Sequence, residues 1–279
     1  MLISVLGFSL MNLSVKYLQR IPATELVFFR SIISLSLCLI AFKRRNINPW
    51  GNQKLFLILR GVFGVTALSM FFYTLQKLPL GSAITIQYLS PIFTTFFGIF
   101  LLKEKVKNIQ WIFFSMAFLG IAMVKGFDPN VTPGLLLMGI CSALFSGLAY
   151  NCIRKVKDSD HPLVVVFYFP LIATPVMGLL SAFNWIQPMG IEWLLLLAMG
   201  ILTQIAQVFM TKALQTAEIN EVISFKYLGI ILALGFDLLL FEVVYSSFAL
   251  LGIALVLLGV LSNILYKSRL AKQKRRQKV

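Results

Sequence analysis

The sequence predicts an all-α polytopic membrane protein, with ten transmembrane helices in two inverted five-helix repeats. Three observations carry this reading. Of the 279 residues, 59% are hydrophobic and only 13% charged, whereas a soluble domain carries about 25% charged residues. Apolar runs long enough to cross a bilayer recur from one end of the chain to the other. The two halves also share an order of matching residues. With a mean hydropathy of +0.88, the chain has too few polar groups to cover a soluble surface.

A membrane helix needs about 20 mostly apolar residues. Candidate spans run 1–17, 22–42, 54–75, 80–102, 109–125, 133–153, 162–184, 191–212, 219–241 and 246–266. The first, MLISVLGFSLMNLSV, lacks the charged leader and small-residue cleavage site of a signal peptide and reads as a membrane helix with an abrupt start. Turn and charge signals separate later spans: KRRNINPWGNQK, LQKLPLG, KEKVKN, GFDPNVTPG, RKVKDSDHP, NWIQPMG and LQTAEIN. None leaves room for a separate soluble domain. The tail from residue 267, KSRLAKQKRRQKV, is basic and reads as a disordered cytoplasmic segment.

Short loops rich in Lys and Arg stay in the cytoplasm. With both termini inside, eighteen Lys and Arg fall in inside loops and tail, and four (Lys16, Arg20, Lys77 and Lys125) fall outside. Both termini are therefore expected in the cytoplasm, and the chain in a plasma membrane, read as a bacterial inner membrane.

Gly61, Leu75, Gln76, Tyr88 and Leu89 match Gly200, Leu214, Gln215, Tyr227 and Leu228 at a constant offset of 139. LLKEKV (101–106) then resembles LLFEVV (239–244), and FLGIAMV (118–124) resembles LLGIALV (250–256). A repeat of five helices is odd, so its two copies point opposite ways across the membrane. Inverted repeats are a transporter architecture, with the solute site near the midplane between them.

The charge of +15 sits in clusters between apolar runs, where topology explains it, and no nucleic-acid motif accompanies it. Cys38, Cys141 and Cys152 lie in or beside apolar runs with no metal-site spacing. His161 stands without clustered ligands. No metal and no cofactor is expected. The spans contain no H-E-x-x-H, G-x-S-x-G or clustered acids, which argues against an intramembrane enzyme.

The segments ATELVFFRSI (23–32), LRGVFGVTALSMFFYTLQKLPLGSAITIQYLSPIF (59–93) and LLKEKV with WIFFSMAFLGIAMV (101–124) resemble the first repeat of the drug/metabolite transporter superfamily, EamA type. The second half resembles a more divergent second repeat. The resemblance implies two EamA-like units, 1–125 and 133–266, and a central cavity lined mainly by helices 1, 3, 4, 6, 8 and 9. Relatives move amino acids, nucleotide-linked metabolites, organic acids and S-adenosylmethionine, so the resemblance implies a class and leaves the substrate open. Ile230 stands where the first repeat has Pro91.

Lys226 leads the candidate site residues. At about 100° per residue, Lys226, Gly229, Ala233 and Asp237 share one stripe of helix 9. Gln87, Ser90, Thr94 and Gly98 form the matching stripe of helix 4. A charge at mid-membrane costs about 2.5–3.5 kcal/mol and faces water, a partner or substrate. Lys226 is read as a contact for an anionic solute group, against a structural ion pair. Asp237 lies about 16 Å along the same helix, too far to pair directly.

Gln87, Tyr88, Asn12, Gln204, Gln207 and Tyr227 complete the predicted substrate contacts. Gln204 and Gln207 suit a wet cavity or interhelical hydrogen bonds. Asp237, Arg30 and Pro91 are gating or coupling candidates: Pro91 removes a backbone donor inside helix 4 and kinks it. Lys16 reads as an interfacial charge that snorkels, Tyr73 and Gln76 as rim or pocket residues with the interface belt the strong alternative for Tyr73, and Tyr150 and Asn151 as interfacial anchors with an inner gate as the alternative. Pro170 and Pro175 are further candidates for bends, and Glu104 and Glu242 read as caps at helix junctions. The predicted function is a secondary transporter moving a small polar metabolite, anionic or zwitterionic, by alternating access, with export or exchange favoured. The rival is a channel or structural subunit. The partners are a small-molecule solute and the bilayer, and the chain is expected to be a monomer.

Overall fold

Prolines and polar caps set where the helices begin. The computed structural model describes residues 2–101, 107–127, 131–216 and 228–276. Every regular element among them is a helix: α1 (Leu2–Tyr17), α2 (Ala23–Arg45), α3 (Lys54–Lys77), α4 (Leu80–Gln87), α5 (Ser90–Leu101), α6 (Asn108–Phe127), α7 (Pro133–Lys155), α8 (Pro162–Ala182), α9 (Glu192–Thr216), α10 (Leu228–Leu240) and α11 (Ser247–Arg276). Pro22 and Pro79 precede α2 and α4. Thr132 caps α7 and His161 caps α8, each just before a proline that gives up no helical hydrogen bond in the first turn.

Among the described residues, eight segments are long and apolar enough to cross a membrane, with α4 and α5 counted as one; α1 and α10 are shorter apolar helices. Large apolar side chains point outward, among them Phe100 at 68% and Leu239 at 78% exposure. In a polytopic membrane protein such a surface meets lipid.

The fourth predicted span is interrupted at Tyr88–Leu89, between α4 and α5. Pro91 has no N–H for the Gln87 carbonyl four residues back, so the regular ladder fails there. The chain tightens instead: Tyr88 N donates to Thr85 O at 3.1 Å and Leu89 N to Ile86 O at 3.0 Å. α8, by contrast, continues through Pro170 and Pro175.

One sequence-based expectation fails at the C-terminus. The basic tail is not disordered from residue 267, because α11 runs to Arg276. Lys, Arg, Gln, Leu and Ala are good helix formers, and extending an existing helix avoids the unfavourable nucleation step.

The helices pack as α1 with α9, α3 with α7, α2 with α8, α6 with α11, and α4 with α10. α3 also meets α8, α2 meets α9, α5 meets α7 and α1 meets α10. α6 and α11 approach backbone to backbone. A Cβ at Gly120 would lie 2.6 Å from Gly252 O, and one at Gly259 would lie 2.6 Å from Phe113 O. Buried amides hold the same pair: Gln110 Nε2 donates to Asn263 Oδ1 at 2.7 Å.

Each end of the bundle has its own latch. At one end Asp160 accepts from Asn52 N at 2.5 Å, and Tyr168 Oη donates to Trp50 O at 2.7 Å. This ties the α2–α3 loop to the α7–α8 region. At the other end Arg20 pairs with Glu192, its Nε 3.0 Å from Oε1, and Glu25 Oε2 accepts from Ile186 N at 3.0 Å. That ties the α1–α2 loop to the α8–α9 loop.

Candidate functional site

α1, α3 and α7 surround a cavity of about 240 Å³, with α4, α5 and α9 contributing pairs of residues and α2, α8 and α10 single ones. This is slightly below the range of about 300–1,000 Å³ typical of ligand pockets. α1 supplies Ser4, Phe8, Ser9 and Asn12; α3 supplies Arg60, Gly64 and Phe71; α4 supplies Gln87. Tyr88, Ser90 and Pro91 line it at the helix interruption, and Ser146 and Tyr150 line it from α7. Arg30, Phe169, Gln207 and Gly229 complete the part of the wall that bears on function.

Gln87 is fixed by α7: its Nε2 donates to Ser146 Oγ at 2.7 Å and its Oε1 accepts from Ser142 Oγ at 2.9 Å. Asn12 is 8% exposed, and its Oδ1 has no hydrogen-bond partner among the described residues. Gly229 lies against Tyr88, where an added Cβ would come 3.2 Å from the phenolic oxygen. Gln207 is half-buried on the wall.

Two guanidinium groups set the electrostatics. Arg30 and Arg60 are each 5% exposed. Both flank one ring, with Cζ of Arg30 4.8 Å and Cζ of Arg60 5.3 Å from the Phe169 centroid. Nε and Nη1 of both lack hydrogen-bond partners among the described residues. The aromatic ring supplies some cation–π stabilisation, but an unpaired buried charge remains costly, by about 2.5–3.5 kcal/mol on insertion scales. No described residue of the cavity wall is a carboxylate. Gly64, one turn from Arg60, makes the space: a Cβ there would lie 2.9 Å from Phe169 and 3.1 Å from Arg60 Nη1.

The structure therefore brings together Asn12, Arg30, Gln87, Tyr88, Pro91 and Gln207 from the predicted set. It places two others elsewhere. Gln204 is buried between α9 and α2, where its Oε1 accepts from Ser34 Oγ and its Nε2 reaches Cys38 Sγ at 3.1 Å. Those partners consume its polar atoms, so it holds helices together. Asp237 is fully buried at the start of α4, accepting from Leu80 N at 3.0 Å, Gly81 N at 2.7 Å and Tyr245 Oη at 2.6 Å. It caps a helix and does not line the cavity. Lys226 and Tyr227 lie outside the described residues, as does Glu104.

Lys16 is not a free interfacial charge: its Nζ donates to Leu78 O at 2.6 Å and Gln76 O at 3.4 Å, closing the end of α3. Gln76 in turn donates to Leu18 O and Ile21 O. Arg60 was absent from the sequence-based candidates. Its signal was present, an arginine inside the apolar run LFLILRGVFG, but it sits close to the charged start of its span and resembles an interface residue.

The EamA-like transporter family matches the chain twice, over residues 1–126 and 133–265. The pseudopaline exporter CntI of Pseudomonas aeruginosa is 29% identical over 258 residues, covering 91% of both chains. Solute carrier family 35 member G1 of Homo sapiens is 30% identical over 260 residues, covering 86% of this chain and 71% of that one. A crystal structure of another protein superposes with a TM-score of 0.65 at 20% identity, covering 96% of this chain and 98% of that chain.

Proposed function

The chain belongs to the EamA-like transporter family, a transporter and not an enzyme, and from that premise we propose that it moves a small anionic or zwitterionic metabolite by alternating access. The observation that carries the proposal is the cavity itself. Polar side chains from separate helices, Asn12, Gln87, Tyr88 and Gln207, converge with two buried arginines on a space of solute size. Channels and structural subunits have no need of such a set, whereas a carrier must hold its solute while the path on one side stays shut.

We read the chain as two inverted repeats, 1–125 and 133–266, crossing the membrane ten times, followed by a basic tail from 267 to 279. The packing pattern supports this. Exchanging first-half and second-half helices turns the α1–α9 contact into the α7–α3 contact and the α2–α9 contact into the α8–α3 contact. The α2–α8, α6–α11 and α4–α10 contacts map onto themselves. The two latches exchange as well.

The topology with both termini in the cytoplasm puts the cavity nearer the cytoplasmic side. Its α7 residues, Ser146 and Tyr150, lie toward the Arg154 end of that helix, and its α9 residues, Gln207 and Met210, toward the Lys212 end. The far side is shut by Lys16, Gln76 and Asp237. Export or exchange is the favoured direction, in keeping with the exporter among its relatives. Lys226 and Tyr227 remain proposed contacts on the strength of sequence, with Lys226 three residues before the wall residue Gly229. The protein is proposed to work as a monomer in the bacterial inner membrane.

Reconstitution into liposomes with a panel of labelled amino acids and organic acids tests this. One or more should show saturable uptake and counterflow, lost in Asn12→Leu and Gln87→Leu. Conductance that neither saturates nor exchanges would mean a channel.

A further inference from the structure

We propose that Arg30 and Arg60 form a paired anion anchor, and that the solute is a polycarboxylate bearing at least two carboxylate groups. This rests on reading the cavity as the solute site. Both side chains are more than nine-tenths buried, and both line the cavity. They come from different helices, α2 and α3, and converge on Phe169, each Cζ within 5.3 Å of its ring centroid. One small molecule can therefore reach both.

A guanidinium presents a planar fork of donors that matches a carboxylate with two parallel hydrogen bonds. Nε and Nη1 of both arginines are unused among the described residues, and no described carboxylate of the wall neutralises them. The described ion pairs use other residues: Arg20 with Glu192 and Lys157 with Asp158. A solute with one carboxylate and one ammonium would answer one arginine and repel the other. A solute with two carboxylates answers both, and its carbon skeleton lies against Phe8, Phe71 and Phe169. The arginines thus narrow an anionic or zwitterionic class to a polyanionic one.

The experiment uses the full-length protein in nanodiscs. Citrate and succinate are the probes, succinamate and succinamide replace one and two carboxylates of succinate by amides, and leucine and putrescine are zwitterionic and dicationic controls. Labelled-probe binding and thermal unfolding are read together. At least one of citrate and succinate should bind and raise the unfolding temperature, with leucine and putrescine inactive. Arg30→Gln and Arg60→Gln should each weaken that binding at least tenfold, Arg60→Lys should fall between, and the surface change Lys157→Gln should stay within twofold of wild type.

Variants that fail to run as a monodisperse peak are set aside, and the wild-type amide series then decides: binding should fall at least tenfold with each carboxylate lost. Absence of binding by both citrate and succinate overturns the proposal, as does equal binding across the amide series or unchanged binding in both Gln variants. Binding without counterflow in liposomes leaves the anchor standing and overturns the transport reading. Leucine counterflow undiminished in both Gln variants does the reverse.

Discussion

Asp237 is ionisable, fully buried and outside the cavity wall. Its carboxylate satisfies Leu80 N and Gly81 N at the start of α4 and binds Tyr245 Oη. The first N–H groups of a helix have no partner within it, so deleting the carboxylate strands buried donors. Asp237→Ala should lower unfolding stability by about 1–3 kcal/mol, the cost of a buried donor left unmade, read as a fall in melting temperature in detergent. Gln207→Ala, at a half-buried wall position, should leave that temperature nearly unchanged while weakening solute binding. The residue scale is also where the sequence was least legible. Gln204 and Gln207 share one stripe, yet the roughly 60° between them around the helix axis decides that Gln204 meets Ser34 and Cys38 while Gln207 meets the cavity. Arg60 turns inward only because Gly64 and Phe169 make room for it, and neither fact is visible along the chain.

At the scale of elements the sequence was far more informative, because span length and apolar composition follow directly from bilayer thickness. The turn and charge signals GFDPNVTPG and RKVKDSDHP separate spans where the structure has helix starts, and within them Thr132 and His161 are the residues that cap α7 and α8. Pro91 marked the interruption at Tyr88–Leu89, whereas α8 stays one helix through Pro170 and Pro175. Which helix faces which was not legible, since apolar spans look alike until side-chain size is matched across an interface. The α6–α11 contact shows this: a Cβ at Gly252 would lie 2.8 Å from Gly120 O. Gly120→Val should push the two helices apart and lower stability by about 1–3 kcal/mol, the usual cost of overpacking. Gly134→Val, where an added Cβ meets nothing within 4 Å, is the matched control in the same melting assay.

Across the whole molecule, the cytoplasm-assigned end gathers cations. His161 sits on an exposed loop there, and partial desolvation, then Arg45 and Lys212, hold its pKa below the ordinary value. A histidine with a lowered folded-state pKa binds fewer protons folded than unfolded. Its stabilising contribution is therefore complete above the unfolded value of about 6.5 and declines as pH falls through that value toward the folded one. Protonation also removes Nδ1 as the acceptor for Leu163 N, 3.1 Å away. Melting temperature should fall between pH 7 and 5, and His161→Asn, which caps without titrating, should flatten that fall. At the opposite end the Arg20–Glu192 pair is solvent-exposed, so Glu192→Gln should leave stability almost unchanged. It should still ease opening there: a cysteine at Phe71, in a background lacking Cys38, Cys141 and Cys152, should react faster with an impermeant maleimide added from that side. An unchanged rate would leave that latch without a gating role.

The gap in the helical ladder at Tyr88–Leu89 gives this span an elbow. Both arms pack on α7, but only α4 also packs extensively on α10, so α4 can shift with α10 by flexing at the elbow without either arm unwinding. Pro91→Ala should weld the arms into one rod. Solute would still dock with near-native affinity, but the carrier would turn over slowly, caught between its two faces.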